Sequence, residues 1–270
     1  PRSLGDTFVL ATYNVLNLFD GEDDPYHADE STPAKPRAEL TRLAQSMESL
    51  GADVIAMQEV ESRGYLQRFL DVFLPDLGYE HVVHFEGNDL RGIDVCLISR
   101  LPVGPVRSGA DGEPTSFQRD VLAVTLEPPG KSPIEIWVVH LKSNSGGREE
   151  AEPIRLAEAA ALRKLLDRRL EEDPDVRLAV VGDFNDTWGS NTLKTIAGEG
   201  EQALWSTASD MTGPLPNTYN RGEFQSMIDF ILCSPALARQ YVKGSFRVPP
   251  GGAETTGSDH NPVAAKFRLE

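Results

Sequence analysis

The 270-residue chain carries only two cysteines, Cys96 and Cys233, and no apolar run of membrane-spanning length. Both cysteines fall in stretches that read as strands, so buried free thiols are expected and no disulfide framework is implied. Basic residues are scarce: 26 Lys and Arg stand against 42 Asp and Glu, a formal net charge of −16. An acidic surface works against non-specific adhesion to polyanions, which depends on Lys and Arg neutralising phosphates. It leaves a phosphate substrate open, because a bound divalent cation reverses the local field. No basic, aromatic-interleaved groove for nucleic acid is visible. A Walker A sequence, a Gly-x-Ser-x-Gly elbow and a dinucleotide fingerprint are also missing, which removes the main competing phosphate- and acyl-transfer signatures. The chain shows no internal repeat, low-complexity segment or linker. It opens on Pro1 rather than methionine, so a trimmed export signal and a secreted or periplasmic location stay open.

What is present reads as one α/β domain over residues 1–270, with strand and helix patterns interleaved in both halves. Phe8 to Tyr13 is a strand ending at Asn14, followed by an acidic loop from Asp20 to Glu30 that fails the EF-hand glycine position. Leu40, Leu43, Ala44, Met47 and Leu50 have helical spacing, with Gly51 as the stop. Asp53 to Met57 is a strand running into Gln58 and Glu59, and Tyr65 to Leu74 a helix. His81 and His84 are three apart on a strand and face opposite ways, which argues against a zinc pair. Arg91 to Ser99, Val121 to Leu126 and Ile134 to Val139 are strands, the last ending at His140. Ile154 to Leu170 is an amphipathic helix with Ile154, Ala157, Ala161 and Leu165 as its expected apolar face.

The run Leu178 to Val181 is a short buried strand, with Asp183 and Asn185 expected just past its end. A sheet offers ligands its carboxyl edge, and a carboxylate beside a carboxamide can hold and polarise water there. A loop-rich stretch to Gly222 follows. Met227 to Leu232 is a strand containing Asp229, a further strand is expected near Tyr241 to Val248, and Val263 to Phe267 closes the chain after Asp259 and His260. Hard divalent cations want few oxygen ligands plus room for water and phosphate oxygens, which Asn14, Glu59 and Asp259 would supply. Phosphate ester hydrolysis also needs a positioned water and donors for developing charge. Asp183, Asn185, His140 and His260 offer these.

Seven short pieces then occur in order: TYN at Thr12 to Asn14, QE at Gln58 and Glu59, RGIDV at Arg91 to Val95, and VVHLKS at Val138 to Ser143. GDFN at Gly182 to Asn185, IDFIL at Ile228 to Leu232 and SDHNPV at Ser258 to Val263 complete them. Together they resemble the endonuclease/exonuclease/phosphatase superfamily, which includes pancreatic deoxyribonuclease and the abasic-site endonucleases. The resemblance implies a four-layer α/β sandwich, two mixed β-sheets packed face to face with helices outside. It implies a Mg²⁺-dependent phosphoesterase, with Mn²⁺ or Ca²⁺ as alternatives, acting on a phosphate ester and first of all on nucleic acid. By position, Glu59 resembles the principal metal ligand, with Asn14 and Asp259 beside it. Asp183 resembles the water-activating group, Asn185 a phosphate-oxygen donor, and His260 a phosphate contact oriented by Asp229. His140 resembles the second histidine of the deoxyribonuclease-like branch, a proton donor to the leaving oxygen. Arg91 and Asp94 match a supporting strand.

Two positions depart from the abasic-site branch. Leu16 stands where that branch is acidic, and Met227 and Ile228 precede Asp229 where it places Trp or Tyr. The stretch from His140 to Arg148 is more similar to secreted bacterial nucleases. The expected activity is therefore a nuclease-type phosphodiesterase working as a monomer. A phosphatase or phospholipid phosphodiesterase is the alternative, and a binding module without catalysis the third reading.

Overall fold

The computed structural model describes residues 5–109 and 117–270. The first sheet has the order β13-β1-β2-β4-β3, built from β1 (Thr7–Leu18), β2 (Val54–Val60), β3 (His81–His84), β4 (Asp94–Ser99) and β13 (Val263–Arg268). The second has the order β5-β6-β7-β8-β12-β9. Its strands are β5 (Val103–Ser108), β6 (Leu122–Leu126), β7 (Ile134–His140), β8 (Leu178–Asp183), β9 (Trp205–Ser206) and β12 (Asp229–Cys233). A separate hairpin pairs β10 (Tyr219–Arg221) with β11 (Phe224–Ser226). Both large sheets are mixed, since β1 and β2 run parallel, as do β7 and β8, while the remaining pairs in them are antiparallel.

Alternation along the strands decides the layering. In β1, Phe8 and Leu10 turn toward the second sheet and pack with Val124, Val138 and Val180, forming the central core. Their neighbours Val9, Ala11 and Tyr13 turn the other way onto α1 (Arg37–Leu50) and α2 (Arg63–Phe73). On the far side α3 (Arg148–Glu172) covers the second sheet through Leu162, Leu166 and Leu170, with α4 (Asn191–Ala197) against it. Helix, sheet, sheet, helix is the four-layer sandwich that the sequence motifs imply. Short α5 (Pro235–Ala238) and α6 (Ala253–Thr256) complete the α-helices of the described residues. Cys96 and Cys233 are both buried and free.

Several boundaries differ from the sequence reading. The first strand continues past Asn14 to Leu18, and Asp183 is the last residue of β8 rather than a loop residue. Arg91 precedes β4 in a turn. β5 (Val103–Ser108) is a strand the sequence reading did not include, and α4 lies in the stretch expected to be loop-rich. Residues 241–248 form no strand. Isolated bridges, Tyr241 to Phe267 and Arg247 to Ala264, and the Ser245 hydroxyl tie them to β13. The expected apolar face of α3 is rotated: Ile154 is exposed, and the buried line runs through Ala151, Arg155, Glu158, Ala159 and Leu162. Two charged side chains occupy the inward stripe, which hides it from a reading by hydrophobic period.

Candidate active site

Asp183 ends β8, and its backbone partners on the two neighbouring strands are His140 at the end of β7 and Asp229 at the start of β12. Paired residues on adjacent strands point to the same face of a sheet. Groups far apart in sequence thus share one patch at the strand ends. A Cβ on Gly182 would fall 1.9 Å from the Val139 carbonyl oxygen. Only glycine lets β8 come this close to β7 at the step that places His140 beside Asp183.

The first sheet contributes Asn14 and Glu59. Asn14 Nδ2 donates to Glu59 Oε1 at 3.2 Å and to Asp183 Oδ2 at 3.1 Å, bridging the two sheets. Pairing is irregular between Asn14 and Leu18 on β1 and between Gln58 and Val60 on β2, as at β-bulges, which re-aim side chains. Among the described residues, the non-glycine residues with positive φ are Leu16, Asn17, Glu59 and Asn185, at 51°, 49°, 66° and 52°. All four belong to this patch. Such backbone costs about 1–3 kcal/mol per residue and persists where the surroundings over-determine it. Here they do: Asn17 N donates to Glu59 Oε2 and Leu16 N to Asn14 Oδ1, each at 3.0 Å, while Asn185 N donates to Asp183 Oδ1 at 2.8 Å.

His260 Nδ1 lies 2.8 Å from Asp229 Oδ2, and its Nε2 lies 3.7 Å from Asp183 Oδ2. Burial alone would lower its pKa, but Asp229, Asp183 and Asp259 outweigh it and raise it to about 10. His260 is therefore an imidazolium at neutral pH, held by the carboxylate that the motif order pairs with it. Asp183, Asp229 and His260 bring ligand atoms within 4.8 Å of one another; the imidazolium already serves as the cation of that group. Asp183 is pushed up to about 7, by burial first and then by the charge of Asp229. His140 Nε2 is 3.6 Å from Asp183 Oδ2 and 3.9 Å from Glu59 Oε1. Burial, and next the charges of Arg119 and His260, hold His140 well below the usual imidazole range. It is neutral as it stands, and the nearby carboxylates favour its proton on Nε2.

The His260 ion pair has a measurable consequence. A raised folded-state pKa means stabilisation fully present below the ordinary imidazole value near 6.5 and lost as pH rises through about 10. Urea unfolding across this range should show declining stability in the native sequence and a flatter profile in Asp229→Asn. Parallel profiles would show that Asp229 does not hold the proton on His260.

Glu59 and Asp259 form the hard-oxygen corner of the patch. Burial raises the Asp259 pKa, and the nearby Glu59 charge raises it further. Two carboxylates that repel each other beside an amide, with the Asn17 Oδ1 buried and unpartnered nearby, fit a small divalent cation that would cancel the repulsion. Glu59 and Asp259 would offer carboxylates to it, and Asn14 borders the same corner, its Nδ2 donating to Glu59 and its Oδ1 accepting from Leu16 N.

Some site-building residues carry no sequence signal. Thr218 Oγ1 accepts from the backbone N–H groups of Ile228 and Asp229 and so sets the start of β12. The Tyr219 ring packs 5.1 Å from the His260 ring. Ser258 lies within the quoted SDHNPV piece, yet only the fold shows its Oγ donating to the Asn14 carbonyl at 2.7 Å while accepting from His260 N. Arg155 and Glu158 of α3 clamp the loops behind the site. Arg155 donates to the Lys142 carbonyl and lies 3.5 Å from Asp186, and Glu158 accepts from the N–H groups of Lys142 and Gln118. Asp94 stands apart from the cluster and faces His84, whereas Arg91, half-exposed beside Asp89, touches it only through its charge, which helps lower the His140 pKa.

The sequence profile described as Endonuclease/Exonuclease/phosphatase family matches residues 9–250. No curated protein matches the chain at a significant level. Among solved structures, the endonuclease/exonuclease/phosphatase from Bacteroides vulgatus is 21% identical with a TM-score of 0.69, covering 98% of this chain and 99% of that one. The human Nocturnin catalytic domain, solved with a bound sulfate anion, is 19% identical with a TM-score of 0.64, covering 99% and 96%. ANGEL2, a 2′,3′-cyclic phosphatase solved with adenosine-2′,3′-vanadate, is 17% identical with a TM-score of 0.68, covering 98% and 96%. At these identities the likeness is one of fold.

Proposed function

Because this chain belongs to the endonuclease/exonuclease/phosphatase family, we propose that it is a divalent-metal-dependent phosphodiesterase that hydrolyses nucleic acid. The observation that carries this reading is the Asn14 amide, which joins Glu59 of one sheet to Asp183 of the other in a patch that also holds both histidines. Glu59 and Asp259, with Asn14, would hold Mg²⁺ or Mn²⁺, which when bound supplies Lewis-acid stabilisation of phosphate charge. Asp183, with Oδ1 held by Asn185 N and Oδ2 by Asn14, is fixed to orient an attacking water and take its proton. The His260 imidazolium directs Nε2–H toward phosphoryl oxygens, where negative charge develops. His140 offers Nε2–H to the leaving oxygen as a neutral donor, and an arriving phosphate anion would favour its protonation. Asn185 Nδ2 already donates to the Leu141 carbonyl at 2.9 Å, which leaves its second N–H for substrate.

The test compares plasmid DNA with a bis-ester and a mono-ester of p-nitrophenyl phosphate, each with Mg²⁺, Mn²⁺ or EDTA. Metal-dependent nicking with little monoester release is expected. Activity that survives EDTA, with no metal retained, would overturn the assignment at Glu59. A second reading, hydrolysis of a small or lipid-borne phosphoester, is favoured by the net charge of −16. Added salt separates the two, since cleavage of nucleic acid should weaken steeply and a small phosphomonoester should be nearly indifferent. Absence of Mg²⁺ and Mn²⁺ binding by calorimetry would instead support a non-catalytic module.

A further inference from the structure

Away from the patch, β3 and β4 bring together a histidine and two carboxylates that the proposed chemistry does not use. His84 Nε2 and Asp94 Oδ2 face each other at 3.5 Å, both buried, and neither has a hydrogen-bond partner. Glu86 completes a group whose ligand atoms lie within 4.8 Å of one another. The separation is too long for a hydrogen bond between charged groups, which runs about 2.7–2.9 Å. It matches two ligands each about 2.0–2.1 Å from one tetrahedral ion, which stand roughly 3.3 Å apart.

The surroundings suit a ligand histidine. The Val60 backbone carbonyl accepts from the ring, which leaves Nε2 as the lone-pair nitrogen facing Asp94. Burial, first among the causes, holds His84 below the usual imidazole range. Asp94 is braced in the same way, its Oδ1 accepting from Gly87 N at 2.7 Å while Oδ2 points inward. His81, the residue that sequence spacing would pair with His84, faces the other way and takes no part. The second and third ligands come from the next strand and the intervening turn.

We propose that His84, Glu86 and Asp94 form a second divalent-cation site, taking a transition metal of the Zn²⁺ class with water as a further ligand. An imidazole nitrogen among the ligands disfavours Mg²⁺ and Ca²⁺, which prefer oxygen. The ion would cross-link edge strand β3 to β4. Asp94 pairs in register with Val60, the residue after Glu59, so the cross-link would also brace the bulge that aims Glu59.

The test uses the full chain carrying Glu59→Gln, stripped with EDTA and titrated with Co²⁺ as a spectroscopic probe. This variant disables the proposed catalytic centre, so the outcome does not depend on the phosphodiesterase reading. One equivalent of Co²⁺ with visible d–d absorption is expected. Adding Glu86→Gln should weaken binding by about tenfold or more. That side chain is exposed, so folding is spared. Adding His84→Gln should abolish the absorption. No Co²⁺ uptake in Glu59→Gln, or uptake indifferent to both further changes, would overturn the proposal and leave a plain buried His–Asp pair.

Discussion

Asp183→Asn should lower the turnover number about 10²–10⁴-fold, the usual contribution of a positioned general base, while the protein stays folded. The substitution keeps the shape and removes the ability to accept a proton. Both Asp183 oxygens accept from orienting donors, Asn14 Nδ2 and Asn185 N, and an amide keeps only one acceptor, so the variant also gives up one of these two hydrogen bonds. The effect on stability should depend on pH. Burial and Asp229 raise the Asp183 pKa to about 7, so its ionised form costs folding free energy as pH rises from the ordinary value of 3.8 through about 7. The asparagine variant lacks this ionisation, so its stability relative to the native protein, measured by urea unfolding, should rise from pH 5 to pH 8. The same ionisation should give native activity a rising limb near neutrality, shifted to lower pH when a bound cation adds positive charge. His260→Ala should lose turnover on a similar scale, because it removes the imidazolium proposed to face the phosphoryl oxygens. Near-native rates in either variant would sink the proposed mechanism.

The second large effect is on stability. Gly182→Ala should cost about 3 kcal/mol or more, the scale of overpacking combined with backbone strain. Its φ of 147° is unfavourable for a side chain, and the new methyl group would meet the Val139 carbonyl oxygen at 1.9 Å, and this atom is backbone, not a side chain that can swing away. Relief requires separating β7 from β8 at the step that pairs His140 with Asp183. Whatever folded protein remains should therefore lose activity as well. Gly189→Ala is the control, because Gly189 also has positive φ, 89°, but nothing lies within 4 Å of its would-be Cβ. It should cost only about 1–2 kcal/mol. Equal losses in the two variants would mean that the close strand approach is not what Gly182 provides.

Several features could be read from local sequence because they rest on local physics. Helical spacing from Leu40 to Leu50 with Gly51 as terminator reappears as α1 with a left-handed cap at Gly51. The apolar runs ending in Asn14, Glu59, His140 and Asp183 reappear as strands that deliver those residues to one edge. Sequence failed where a position's role depends on a distant partner. Arg155 and Glu158 lie outside the apolar face expected for their helix, yet they are buried because the loops at Lys142 and Asp186 need partners. Residues 241–248 have strand composition, but isolated bridges and side-chain hydrogen bonds to β13 form there instead of a strand.

By itself the sequence determined which polar residue types close which strands, and in what order, since alternation and turn chemistry act over a few residues. The tertiary structure alone decided that Asn14 reaches Asp183 across two stacked sheets, and that Asp229 keeps His260 charged. It alone set His84 against Asp94. Such relations depend on strand order, register and burial. Charge states in particular follow from the balance of desolvation and neighbouring charge, which exists only once the sheets have packed.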